Sequence, residues 1–283
     1  MHSAKSKKKW VEEIERSFTP KPRTEEVHLS LILPTYNCGA TIDRTLDSIR
    51  RQHYPSLEVI VVDAGSTDQT HAILAEYAQL ITRVYSVSGH NIAEMINRGT
   101  ALASGDYIAV LYPGSCYLSN QTYNIFAEAV LDYAHPDLVY CGTTSSRSML
   151  LINSTCHELS LKEIKRGRFP VIIGGCWIRR DFFLKLGKLN PNYKMRFMFD
   201  MLCRIMKQPK KRLVHLDRSL VESDLALVAQ VKGRELAFPW DTWKILKHHF
   251  GTWAALRWFA SLPFTIVVKL FWRALKKQIF EEK

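Results

Sequence analysis

The chain lacks any paired thiol motif. Its six cysteines, Cys38, Cys116, Cys141, Cys156, Cys176 and Cys203, are scattered, with no CxxC pair and no histidine at zinc-ligand spacing. That excludes a zinc module and a disulfide framework and fits a reducing compartment. It also lacks the apolar core of a signal peptide, because the basic N-terminal residues run straight into a charged, helix-like stretch. The expectation is a protein that is not secreted and stays in the cytoplasm. There is no internal repeat and no low-complexity segment, which excludes a solenoid. The body lacks a surplus of positive charge as well. Of the net +12, residues 1–24 carry seven Lys/Arg against three acids and residues 244–283 carry eight against two, leaving the middle at 24 against 22. So balanced a body offers no basic groove for nucleic acid, whereas basic ends suit a negatively charged surface such as anionic lipid, or are simply solvated tails.

What the chain does have is length and apolar content, 283 residues and 47% hydrophobic, enough for a sizeable core. From about residue 28 short β-rich runs alternate with helical periodicity. Strands are expected at 29–33, 58–62, 83–87 and 107–111, and helices at 41–51, from Thr67 onward, and at 92–103. Such alternation implies βαβ units and a mainly parallel sheet, an α/β fold with a Rossmann-like first half. The second half is more mixed, with helices near 121–133 and 198–207 and strands near 137–141 and 171–179. The reading divides the chain into a basic extension at 1–27, an α/β domain at 28–235 split near 111/112, and a helical segment at 236–283. Five of the seven tryptophans fall within 240–272.

Ligands of parallel sheets bind at the carboxyl ends of strands, so the loops there come first. One reads Pro34-Thr35-Tyr36-Asn37, the next Asp63-Ala64-Gly65-Ser66-Thr67-Asp68, and the third Tyr112-Pro113-Gly114-Ser115. A helix start capped by Ser66 or Thr67 explains part of the second loop. It does not explain Asp63, placed at a strand end before a glycine and beside another polar strand end.

The ordered motifs resemble those of family-2 glycosyltransferases. They are Leu31 to Asn37; Leu46-Asp47-Ser48-Ile49 with Gln52-His53-Tyr54-Pro55; Glu58 to Asp68; Asn97-Arg98-Gly99; Ala103 to Ile108; Trp177 to Phe183 with Leu186-Gly187; and Phe199 to Ile205. The resemblance spans about 29–206. It implies a GT-A fold that binds a nucleoside diphosphate sugar, with UDP-linked sugars the first candidates, and inverts the anomeric carbon in transfer to a saccharide or lipid-linked acceptor. The loop Pro34, Thr35, Tyr36 and Asn37 and the carboxylate of Asp63, with Gly65, Ser66 and Asn97, are then expected to hold the nucleotide. Tyr36 has packing over its own loop as an equal alternative. Asp200 matches the general base that takes the acceptor's proton. As a lone acid in an apolar stretch it is expected to have a raised pKa, or else to cap a helix; Arg204, four residues on, is placed to orient it or to meet a phosphate.

One departure is sharp. Relatives carry an acidic triplet after the fourth strand that binds a divalent metal, and here no carboxylate lies between Asp106 and Glu128. Position 91 departs too, with Asn where many relatives have Gly or Arg. The expectation is no bound metal, the diphosphate being met by Arg98, Arg179, Arg180 or Arg204 and by the amides and hydroxyl of Gly114 and Ser115. The competing reading is an inactive GT-A protein serving as a binding or scaffold subunit. In the C-terminal segment Lys269, Arg273, Lys276 and Lys277 share one helical face and Phe264, Val267, Val268, Phe271 and Leu275 another, while the longest uncharged run there, 258–268, has eleven residues. That is too short to span a bilayer. It fits either a helix lying on the cytoplasmic face of an anionic membrane through 240–283, or a helix pair packed back on protein.

Overall fold

A computed structural model describes residues 18, 25–145, 158–168, 173–223 and 234–262. Its strands are β1 (Leu29–Thr35), β2 (Leu57–Asp63), β3 (Arg83–Ser86), β4 (Tyr107–Val110), β5 (Cys116–Tyr117), β6 (Leu138–Ser145), β7 (Cys176–Arg179) and β8 (Leu213–Ser223). They form one sheet in the order β3-β2-β1-β4-β7-β6-β8-β5. The run β3-β2-β1-β4 is parallel; β7 lies antiparallel between β4 and β6, β8 is parallel to β6, and β5 is antiparallel to β8. The carboxyl ends of β1, β2, β4, β6 and β8 therefore share one edge.

The helices are α1 (Ile42–Arg50), α2 (Thr70–Glu76), α3 (Ile92–Leu102), α4 (Thr122–Asp132), α5 (Leu161–Lys165), α6 (Arg180–Leu186), α7 (Phe197–Lys207), α8 (Arg234–Phe250) and α9 (Thr252–Ala260). Successive strand residues point to opposite faces, and both faces are covered, so β1 is buried along its whole length. Ile32, Ile60, Val62 and Val110 pack with Ile92 and Ile96 of α3, Phe199 and Leu202 of α7, and Ile245 and Leu246 of α8. On the other face Leu31, Leu33, Val59 and Val61 meet Ile42, Leu46 and Ile49 of α1 and Phe126 and Val130 of α4.

Three expectations shift. The helix expected from Thr67 begins at Thr70, because the side chains of the preceding loop are engaged across it. The expected strand at 171–179 is a 3-10 turn (Ile173–Gly175) followed by β7. Backbone approach explains the break: a Cβ on Gly175 would lie 2.8 Å from the Cys141 carbonyl oxygen. The long strand β8 went unread, its middle carrying the exposed Asp217 and Arg218. The expected amphipathic faces of 264–280 and most of 1–27 lie outside the described residues. What is described of the last segment does two things at once. Ile245, Leu246, Ala255 and Trp258 are buried in the main core, while Phe238, Trp240, Trp253, Leu256 and Phe259 of the same two helices are exposed. Among the described residues no helix is long and apolar enough to cross a membrane.

Candidate functional site

β1 and β2 end in register, Thr35 opposite Asp63. The Asp63 side chain is fully buried and ringed by donors. Oδ1 accepts from Thr35 Oγ1 at 2.8 Å and Ser66 Oγ at 2.6 Å, and Oδ2 from the amides of Gly65 at 3.1 Å and Ser66 at 2.8 Å. His71 Nε2 stands 3.2 Å from Oδ2. Burial pushes the Asp63 pKa up, but the Ser66 and Thr35 hydrogen bonds and the nearby His71 outweigh it, and the net shift is down. Asp63 is thus a rigid anion. A carboxylate offers about four lone-pair positions, and here they are filled from within. Direct contact with base or ribose was expected of Asp63; its observed partners are all within the two loops, whose shape it fixes.

The neighbouring loop is joined to it. Asn37, at a left-handed φ of 42°, donates its amide to Ser66 Oγ at 2.9 Å and accepts the Thr67 amide at 2.8 Å on its side-chain oxygen. Gly39 donates to Asp68 Oδ2 at 2.9 Å. Tyr36, half-buried at the rim, lies over His90 with ring centroids 3.8 Å apart. Pro34 is buried beneath, and Gly65 stands exposed at φ 77°. Tyr36, Gly65 and His90 are thus open on this edge, with Thr67 and Asp68 exposed in the same loop as Gly65.

The third loop is closed. The Gly114 amide donates to Thr45 Oγ1 at 2.8 Å and the Ser115 amide to the Tyr112 carbonyl at 2.9 Å. Thr45 Oγ1 in turn donates to the Ser115 carbonyl at 2.8 Å, and Arg44 Nη1 approaches the Gly114 carbonyl at 3.4 Å. The two amides expected to receive phosphate both have protein acceptors here. Nor do the turn's residues fit a divalent cation, which needs several oxygen anions. Buried Glu222, opposite Cys116, is paired with Arg44 at 2.8 Å, and no cluster of three or more His, Cys, Asp or Glu suited to a metal occurs among the described residues.

The side chains of Asn97, Arg179 and Arg204, expected as ligands, are engaged elsewhere. Asn97 clamps Leu189, with Nδ2 donating to its carbonyl and Oδ1 accepting its amide, each at 2.8 Å. Arg179 is opposite Tyr107, at the amino end of β4, and pairs with Asp137 at 3.0 Å and Asp181 at 2.6 Å; the Arg180 amide bonds the Asp106 carbonyl beside it. Both start from the edge away from the loops. Arg204 closes the end of α6, donating to the Leu186 and Gly187 carbonyls at 2.8 and 3.0 Å. Exposed Arg98 lies over the Tyr85 ring, 4.7 Å from its centroid.

Asp200 stands in the first turn of α7, buried, and Arg196 rather than Asp200 is the N-cap. Its Oδ2 accepts from Arg204 Nη2 and its Oδ1 from His249 Nε2, each at 2.8 Å. Burial raises its pKa, yet the His249 hydrogen bond and the Arg204 charge prevail and lower it. The expected upward shift is reversed, and Asp200 is held ionised. His249, Arg44, Glu222, His71 and His90 were not legible as site residues. Only His90, beside the odd Asn91, sat in a loop that drew attention; the others meet their partners across 49 residues or more, or from the solvent face of a helix.

Asp63 generates a prediction. A group whose folded pKa is depressed stabilises the fold above its unfolded pKa, about 3.9, and that contribution is lost as pH falls through the folded value. Asp63→Asn places N–H donors against donors and should cost roughly 2–3 kcal/mol at pH 7 by urea unfolding, with the gap to wild type narrowing below about pH 4. A gap that is constant with pH would show that the charge is not what the loops use.

The sequence profile described as "Glycosyl transferase family 2" matches residues 30–187. A PGL/p-HBAD biosynthesis glycosyltransferase of Mycobacterium bovis is 27% identical over 183 residues, covering 64% of this chain and 70% of that protein. Among solved structures, S. aureus TarS in complex with UDP-GlcNAc aligns with a TM-score of 0.60 at 17% identity, over 77% of this chain and 65% of that one. Mannosyltransferase PcManGT from Pyrobaculum calidifontis, solved with GDP-Man and Mn2+, aligns with a TM-score of 0.56 at 17% identity, over 95% and 87%. The structural likenesses show the fold, a curled, mainly parallel GT-A sheet flanked by helices, and the profile covers more than half of the chain. The chain belongs to glycosyl transferase family 2.

Proposed function

We propose that this glycosyltransferase moves a sugar from a nucleoside diphosphate donor to a saccharide or lipid-linked acceptor, inverting the anomeric carbon and using no resident divalent metal. The observation that carries the reading is the pairing of two features at one sheet edge: an open rim of Tyr36, Gly65 and His90 on loops braced by Asp63, and a neighbouring turn with no acid for a metal. Relatives of this fold were solved with UDP-GlcNAc and with GDP-Man, which supports the donor class. Arg44, its side chain 45% exposed beside the Gly114 carbonyl, is the cation best placed to face a leaving diphosphate. Asp200 is the base in this reading. Oδ2 accepts from Arg204 and Oδ1 from His249, and each oxygen keeps a lone pair, so an acceptor hydroxyl can pass it a proton as its oxygen attacks the anomeric carbon and the bond to diphosphate breaks.

A second reading, a non-catalytic member that binds a partner, is favoured by one observation: the amides of the 112–115 turn and both oxygens of Asp200 already have protein partners. Turnover separates the two. With a panel of nucleotide sugars, nucleoside diphosphate release by the wild type and its loss by about 100-fold or more in Asp200→Asn, with donor affinity unchanged, is expected of the transferase. Equal release by the variant would remove Asp200 from the chemistry, and no release by the wild type would favour the second reading.

The acceptor side includes a membrane. Phe238, Trp240, Trp253, Leu256 and Phe259 are exposed on α8 and α9, where Lys244, Lys247 and Arg257 are also found, a combination suited to the interface of an anionic bilayer on its cytoplasmic face. The full chain should sediment with phosphatidylglycerol vesicles and not with phosphatidylcholine vesicles. Trp240→Ala with Trp253→Ala should weaken that binding; unchanged sedimentation of the double variant would remove these helices from the contact.

A further inference from the structure

His249 belongs to the last turn of α8, outside the 30–187 span that matches the family. Its side chain is 5% exposed and its Nε2 lies 2.8 Å from Asp200 Oδ1. Because an ionised carboxylate only accepts, Nε2 carries the proton of that bond, and Nδ1 is left buried with no hydrogen-bond partner among the described residues. Leaving a buried ring nitrogen unsatisfied is costly. The seat of α8 does not explain the cost, since other contacts hold it. Asp241 Oδ2 accepts the amides of Met195 at 2.8 Å and Arg196 at 3.3 Å, the Arg196 guanidinium lies 4.4 Å from the centre of the Phe238 ring, and Ile245 and Leu246 are fully buried.

What His249 adds is a second fixed donor on Asp200. Arg204 holds Oδ2 from within α7, and His249 holds Oδ1 from α8, so the carboxylate plane is set by two helices at once. We infer that His249 is a positioning residue of the transferase site, holding the Asp200 carboxylate in the orientation that receives the acceptor's proton and making α8 part of the catalytic apparatus. The inference rests on the role proposed for Asp200 as base. The charged and titratable groups facing the pair are Arg204 and Cys203 from α7, Tyr193 from the segment before it, Lys207 Nζ at 3.5 Å from the His249 carbonyl, and His248 beside it.

The test compares His249→Asn, whose amide is too short to reach, with His249→Gln, whose amide can donate to the same oxygen, in the full chain with a donor that the wild type turns over. His249→Asn should lose about 10- to 100-fold in kcat with donor KM unchanged, and the acid limb of its kcat profile should move to higher pH, since a donor favouring the ionised carboxylate is gone. His249→Gln should recover most of kcat and return the limb toward wild type. Thermal unfolding of both variants separates a folding defect, which moves Tm without moving the pH limb. A His249→Asn protein with wild-type kcat and an unmoved limb, alongside an inactive Asp200→Asn, overturns this inference and leaves the base reading standing. A fully active Asp200→Asn, or a wild type without turnover, overturns both.

Discussion

An ionised carboxylate can be buried at a strand end only if donors surround it, and the binding edge of this molecule is organised around that requirement at Asp63. The side chains of Thr35 and Ser66 and the amides of Gly65 and Ser66 turn inward to the acid, which fixes the loop after β2. Asn37, reaching across to Ser66 and Thr67, fixes the loop after β1 against it. The rim that remains open, Tyr36 over His90 beside an exposed glycine, rests on loops fixed by a fully buried residue. A preformed edge of this kind lowers the ordering cost of binding a flexible diphosphate sugar.

The same logic of internal satisfaction governs the other acids. The Tyr-Pro-Gly-Ser turn at 112–115 is bonded to Thr45, and Glu222 is balanced by Arg44. At Asp200 the balance comes from Arg204 and His249.

The first half was legible because burial on both faces of a parallel sheet imposes apolar strands and periodic helices, and β1, β2 and β4 obey that pattern. Strand β8 was not, because its solvent-facing Asp217 and Arg218 break the apolar run. In the site, loop positions were legible from the strand-end rule, and Asp63 and Asp200 stood out as isolated acids. Their roles were less so. Whether a buried acid is raised or lowered in pKa depends on which donors surround it, and His249 reaches Asp200 from 49 residues away. Asn97 and Arg204 looked like ligands for the same reason: a polar side chain that clamps a distant backbone reads, in one dimension, like one that awaits a substrate.

The C-terminal helices join these themes, since α8 buries Ile245 and Leu246 in the main core, brings His249 to Asp200 and exposes Trp240. At the centre of the account stands a donor edge that works without a cation. Calorimetric titration of UDP, GDP and TDP into the full chain, once with excess EDTA and once with Mn2+, tests it most directly. The account predicts that at least one nucleotide binds with an affinity that the chelator leaves unchanged; binding seen only with Mn2+, or with none of the three, would contradict it.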